Sequence, residues 1–150
     1  MPHASYRQVL AGTDGSDTSF RAVDRAADIA RSTGSKLLVA TAYRPLPPGE
    51  AQIAGEELGH TSFQVVGLTP AEEVLRSAVE RQSMEGIEIE TLAVQGEPVD
   101  VLVTLAQERG VDLIVIGNRG MHSMTGRMLG SVPSVAAHRS PCDILIVATT

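Results

Sequence analysis

Gly117-Asn118-Arg119-Gly120, followed nine residues later by Gly130-Ser131-Val132-Pro133-Ser134, is the stretch whose reading decides the architecture. Before it runs Leu113-Ile114-Val115-Ile116, an apolar stretch with the character of a buried strand. After its last glycine, Val132 to His138 reads as a helix. A strand that ends in glycines and feeds a helix start is where open α/β sheets hold phosphates. Gly117 and Gly120 are able to take positive φ and to let the main chain approach a ligand with no Cβ in the way. Gly130 and Ser131 are placed to aim unpaired N–H groups and one hydroxyl at an anion. The competing reading is a glycine-rich loop that merely turns the chain, and the glycines alone do not separate the two.

Outward from this stretch, strands and helices alternate. Val9-Leu10-Ala11-Gly12 reads as a strand that ends at Thr13-Asp14-Gly15-Ser16-Asp17, with Ser16 or Asp17 as the N-cap of the next helix. That helix places Phe20, Val23, Ala26, Ala27 and Ala30 on one face, with Ile29 at its margin, and Gly34 stops it. Leu37 to Tyr43 is apolar apart from Thr41, the pattern of a strand covered on both faces. Arg44 to Leu68 is irregular and rich in proline and glycine, a length commonly functional or mobile. Thr69-Pro70 reads as an N-cap followed by proline at the first helical position, with Val74, Leu75, Ala78 and Val79 as the apolar face. Ile87 to Val94 mostly alternates with period two and predicts a strand with one wet face near the sheet edge. Pro98 opens a helix with Val99, Leu102, Val103 and Ala106 inward, stopped at Gly110. Strand Val111–Ile116, the glycine stretch, a helix and strand Ile144–Val147 complete the chain.

Strands separated by helices imply one α/β domain over residues 1–150, with a parallel sheet, right-handed crossovers and helices on both faces. Ligands in such folds bind beyond the carboxyl ends of the strands, where the strand order reverses. If the first and fourth strands are neighbours there, Thr13-Asp14-Gly15-Ser16 and Gly117-Asn118-Arg119-Gly120 form opposite walls of one crevice. That convergence favours a site over a simple turn.

Composition bounds the ligand. With 150 residues, 43% of them hydrophobic, the chain buries a sizeable core, and a net charge of -6 leaves no basic face for nucleic acid. Aromatic residues are 3% with no Trp, so base-stacking platforms of the single-strand-binding kind are lacking. The single Cys142 excludes an internal disulfide and a multi-cysteine metal site, and its apolar surroundings predict a buried, inert thiol. The N-terminal residues lack signal-peptide form and no apolar run reaches membrane-spanning length, so the expectation is a cytoplasmic protein with no membrane partner.

With these features in place, the chain resembles the universal stress protein family over nearly its whole length. The resemblance is carried by the opening strand into Gly12-Thr13-Asp14-Gly15-Ser16, the element order and the closing run. Its most specific part is the family's nucleotide motif, Gly-two-Gly-nine-Gly followed by Ser or Thr, complete here as Gly117, Gly120, Gly130 and Ser131. The resemblance implies an open five-stranded parallel sheet of order 3-2-1-4-5, and a homodimer in which the last strands, residues 144–148, pair. It implies an adenine nucleotide as ligand, ATP or cyclic AMP, with Mg²⁺ a further candidate alongside ATP. Asp14, with Thr41 and Ala42 at the end of the second strand, would face ribose and adenine, and Gly12 and Thr13 belong to the same nucleotide-binding set. Gly117, Gly120, Gly130, Ser131 and Ser134 would wrap ribose and phosphates, with Asn118 and Val132 also among the nucleotide-binding residues. Gly12 departs from the proline found in many ATP-binding relatives, which bears on nucleotide preference, and similar actinobacterial members favour cyclic AMP.

Arg119 and Arg127 flank the motif and suit phosphate, with solvated loop arginines as the alternative. Asp14 is a ribose or metal partner, or a turn residue bonded to its own backbone. His122 falls in the nine-residue spacer and reads as exposed; no residue is assigned a catalytic role and no histidine has metal-ligand spacing. GxxxxGK[ST], GxSxG and a dinucleotide GxGxxG are all missing. A phospho-acceptor role for Asp14 lacks a later lysine, since Lys36 is the only lysine. The leading expectation is a nucleotide-binding stress-response sensor or reservoir. The alternatives are a slow ATP-hydrolysing or phosphate-transferring enzyme, and an interaction module whose motif is vestigial.

Overall fold

The computed structural model describes residues 5–45, 65–82, 86–118 and 131–148. Along the chain these form β1 (Gln8–Gly12), α1 (Asp17–Thr33), β2 (Lys36–Arg44), β3 (Val65–Val66), α2 (Leu68–Glu80), β4 (Glu88–Gln95), α3 (Pro98–Arg109), β5 (Leu113–Gly117), α4 (Ser131–Arg139) and β6 (Asp143–Val147). The five principal strands lie side by side as β4-β2-β1-β5-β6, all parallel, which is the order 3-2-1-4-5. Two-residue β3 pairs with Tyr43 and Arg44, while Gln95 of β4 lies opposite the same Tyr43. A strand has two edges, so β3 continues the β1 side of β2 past the end of β1.

Side-chain alternation divides the core in two. Val9, Ala11, Leu37, Val39, Leu113 and Val115 face α1 and α2, meeting Phe20, Val23, Ala26, Ala27, Leu75 and Ala78. Leu10, Leu38, Ala40, Ile114 and Ile116 face α3 and α4, meeting Val101, Leu102, Leu105, Ala106 and Ala136. Leu10, Leu38 and Ile114 are fully enclosed, each contributing about 1.5–3 kcal/mol through burial. The unbroken apolar runs of β1, β2 and β5 follow from this sandwich, because both faces of each strand meet helices.

Helix boundaries follow local chemistry. Ser16 is the N-cap of α1, its side chain accepting from Ser19 N at 3.2 Å, and Gly34 closes the helix in the left-handed conformation. The expected N-cap at Thr69 is corrected: α2 starts at Leu68 after Gly67, and Pro70 is its third residue. Proline fits there equally well, because the first N–H groups of a helix have no intrahelical partner to lose. In α3 the inward set gains Val101 and Leu105, whereas Val99 is only half-buried. Packing of α3 against both the sheet and α4 covers more of it than one stripe. The expected wet face of β4 is also corrected. Ile89 and Ala93 pack on one core cluster and Leu92 and Val94 on the other, although β4 does lie at the sheet edge. Cys142 is half-buried, not fully buried, and burial pushes its thiol up from its ordinary pKa, keeping it protonated.

Ion pairs fasten the edges. Arg81 bonds Asp24 at 2.8 Å and lies over the Phe20 ring, tying the end of α2 to α1. Glu90 accepts from Arg109 at 2.8 Å and from Lys36 at 2.7 Å, at the end of the sheet where β2 and β4 begin. The Arg109 and then the Lys36 hydrogen bonds hold the Glu90 carboxyl down from 4.5 to about 2. A carboxyl depressed on folding stabilises the native state fully above its unfolded value, and that contribution fades as pH falls towards the folded one. The stability gap between the native protein and Glu90→Gln is therefore expected to be largest at neutral pH and to narrow between pH 4.5 and about 2. Urea unfolding of both proteins across that range measures it.

Candidate functional site

At the carboxyl ends of β1, β2 and β5 the sheet opens into a hollow of about 90 Å³. The parallel pairing Val9↔Leu113, Leu10↔Ile114 and Ala11↔Val115 makes β1 and β5 neighbours, so the two turn-forming loops do leave adjacent strand ends. Gly12, Thr13 and Asp14 form one wall and Ile116 and Gly117 another; Ala40 and Ala42 of β2 line it too. Ser19, Pro98 and Val101, and Val132 and Pro133 come from the first turns of α1, α3 and α4. Three helix N-termini thus border one space, and each brings the positive end of a helix dipole to it.

The β1–α1 loop is held by its own short side chains. Thr13 N donates to Ala40 O at 2.9 Å, extending the β1–β2 ladder by one residue. Thr13 Oγ1 and Ser19 Oγ share a hydrogen bond of 2.7 Å, and Gly15 N donates to Thr13 Oγ1 at 3.1 Å. Asp14 Oδ1 accepts from Ser16 N at 2.9 Å and from Ser16 Oγ at 2.5 Å. Asp14 therefore makes the turn bond that the sequence offers it, while also lining the hollow.

Of the residues singled out in the sequence, Gly12, Thr13, Asp14, Ala42, Gly117 and Val132 come together around the hollow. Gly117 does so without a positive φ: it ends β5 opposite Val147. Asn118 continues that ladder, its N–H donating to Val147 O at 2.9 Å. Ser131 is exposed and Ser134 half-buried on α4, and neither lines the hollow. Arg119, Gly120, Arg127 and Gly130 lie outside the described residues, as do His122 and most of the Arg44–Leu68 segment.

Thr41 and Ala42 part company. Ala40 and Ala42 share the hollow's face of β2, so alternation sets Thr41 on the opposite face with Leu37 and Val39. There it is 1% exposed, and its Oγ1 has no hydrogen-bond partner among the described residues. A buried unpaired hydroxyl costs about 1–3 kcal/mol. Thr41→Val keeps the shape and removes that hydroxyl, so stability is expected to rise by about 1 kcal/mol, or roughly 2–4 °C in a thermal melt.

The sequence did not mark Ala40, Val101, Leu102 or Pro133 as site residues. Leu102 has a signal only in hindsight: a Cβ built on Gly12 would lie 3.0 Å from Leu102 Cδ2 and 3.4 Å from Ile116 Cγ2. Gly12 is not among the glycines with positive φ, so close approach and not backbone conformation suits glycine to this position.

Comparison with known proteins agrees with this architecture. The chain is 46% identical over 148 residues to universal stress protein Rv1636 of Mycobacterium tuberculosis, covering 98% of this chain and 99% of that one. It is 30% identical to universal stress protein YxiE of Bacillus subtilis over 151 residues, covering 95% and 99%. Among solved structures, a universal stress protein in complex with cAMP matches at 44% identity and a TM-score of 0.72, over 98% of this chain and 100% of that one. UspA from Lactobacillus plantarum, at 21% identity, shares the fold with a TM-score of 0.76, covering 97% and 99%. The family model for universal stress proteins matches residues 5–148. The chain belongs to the universal stress protein family.

Proposed function

We propose that this protein is a single-domain, cytoplasmic adenine-nucleotide binder that acts as a sensor or reservoir in the stress response, with ATP or cyclic AMP as ligand. The observation that carries the reading is the hollow itself. Its inner part is apolar, from Ala40, Ala42, Val101, Leu102 and Ile116, and three helix N-termini stand at its border. An apolar slot suits a planar base, and converging N–H dipoles suit phosphate. The motif Gly117, Gly120, Gly130 and Ser131 spans the connection from β5 to α4. The likeness to a universal stress protein in complex with cAMP supports the same ligand class.

In this reading Gly12, Thr13, Asp14 and Ala42 meet the nucleoside, and Gly117, the 118–130 connection, Ser131 and Val132 meet the phosphates. Arg119 and Arg127 add charge, and Mg²⁺ accompanies ATP. β6 ends the sheet with half-buried Ile144, Leu145 and Ile146, an edge that a second copy would cover in a homodimer.

Calorimetric titration with cyclic AMP, AMP and ATP, the last with and without Mg²⁺, tests the reading. Three or four charge-assisted bonds, less the cost of association, support affinity on the order of 1 μM, and the ligands are expected to compete for one site. The absence of binding by all three at millimolar concentration overturns it.

A further inference from the structure

The apolar end of the hollow is built from unusually small pieces with one larger one set against them. Gly12, Ala40 and Ala42 contribute no more than a methyl group each, while Leu102 leans over Gly12. Its two methyl carbons would lie 3.0 and 3.5 Å from any Cβ at position 12, tighter than an unstrained contact allows at the nearer one. Leu102 is only 5% exposed and packs in the core beneath α3, so the open space available to it is the hollow. Positions 12 and 102 therefore compete for one volume, and whichever side chain loses is displaced towards the ligand.

We propose that Leu102 is the specificity-determining residue of the hollow: it fills the room left by Gly12, and its size fixes how large a heteroaromatic base the apolar end admits. This rests on the nucleotide reading above and adds the residue that gates the base. A missing or added methylene in an apolar slot changes binding by roughly tenfold or more. Small walls on β1 and β2 leave that decision to the α3 side chain.

The test is calorimetric titration of the unmodified protein, Leu102→Ala, Gly12→Ala and Gly12→Ala/Leu102→Val. The probes are cyclic AMP and analogues bearing a benzyl group at N6 or a bulky substituent at C2 or C8. In Leu102→Ala, affinity for at least one enlarged analogue relative to cyclic AMP is expected to rise roughly tenfold or more. Gly12→Ala is expected to weaken cyclic AMP roughly tenfold, and the double variant to recover most of that loss. Relative affinity across analogues is a readout that a merely structural role leaves alone. Thermal melts establish folding, and Leu102→Val, which removes one methylene, replaces Leu102→Ala if the latter does not fold. Unchanged relative affinities in the Leu102 variants, or a double variant no better than Gly12→Ala, overturn the proposal and leave the nucleotide reading standing. Failure of the unmodified protein to bind cyclic AMP, AMP or ATP overturns both.

Discussion

Gly15→Ala is expected to remove roughly 2–4 kcal/mol of stability, a large part of the margin of a domain this size. Two independent effects add. Gly15 has φ 88°, where a side chain costs about 1–2 kcal/mol. The new Cβ would also lie 2.9 Å from Val74 Cγ2, on a half-buried side chain packed into the α1–α2 core, and such overpacking costs about 1–3 kcal/mol. Urea unfolding measures the sum, and Gly15→Ala/Val74→Ala separates the parts, because removing the valine methyls relieves the clash but not the strained backbone. A loss no larger than about 0.5 kcal/mol, the size of an ordinary surface substitution, would contradict the geometry of the β1–α1 loop. The effect should reach the site as well, since Gly15 N donates to Thr13 Oγ1 and the next residue holds Asp14.

Ala42→Leu should act on the ligand more than on the fold. Ala42 is half-buried and faces the hollow, so the added carbons extend into space that the protein leaves open. On the proposed nucleotide reading, filling this part of the hollow costs binding about 1–3 kcal/mol, equivalent to roughly a tenfold to hundredfold weaker nucleotide. Titration with cyclic AMP and a urea melt on the same preparation give the two numbers. Reduced stability with unaltered affinity would place the ligand somewhere other than this hollow.

Much of the architecture was legible because patterns longer than a few residues carry it. The apolar runs of β1, β2 and β5 and the stripe of α1 have one reading each, and glycines or capping side chains mark their ends. Two-residue β3 was not legible, since no periodicity exists over so short a span. Pro70 misled for a physical reason: proline fits any of the first positions of a helix, so it marks the first turn and not the first residue. Within the site, Thr13 and Asp14 were readable as a strand-end turn, whereas Gly117, read as the start of a turn, is the last residue of β5 and still pairs with Val147. Thr41 and Ala42 were not separable, because a strand buried on both faces has no polar alternation to show which side meets a ligand. Leu102 was read as a core residue, and it is one; that it also leans over Gly12 depends on how α3 sits across the sheet, which one sequence does not encode locally.

The pairing of Lys36 with Glu90 has a practical corollary. Because Lys36 is the chain's single lysine, amine-directed coupling or dye attachment has one internal address. It begins β2, while Ala42 lies six residues along the same strand, a separation of roughly 20 Å. Immobilising or labelling the molecule through that amine leaves the opposite pole facing solvent. The modification silences one cation beside Glu90, but Arg109 still holds that carboxylate.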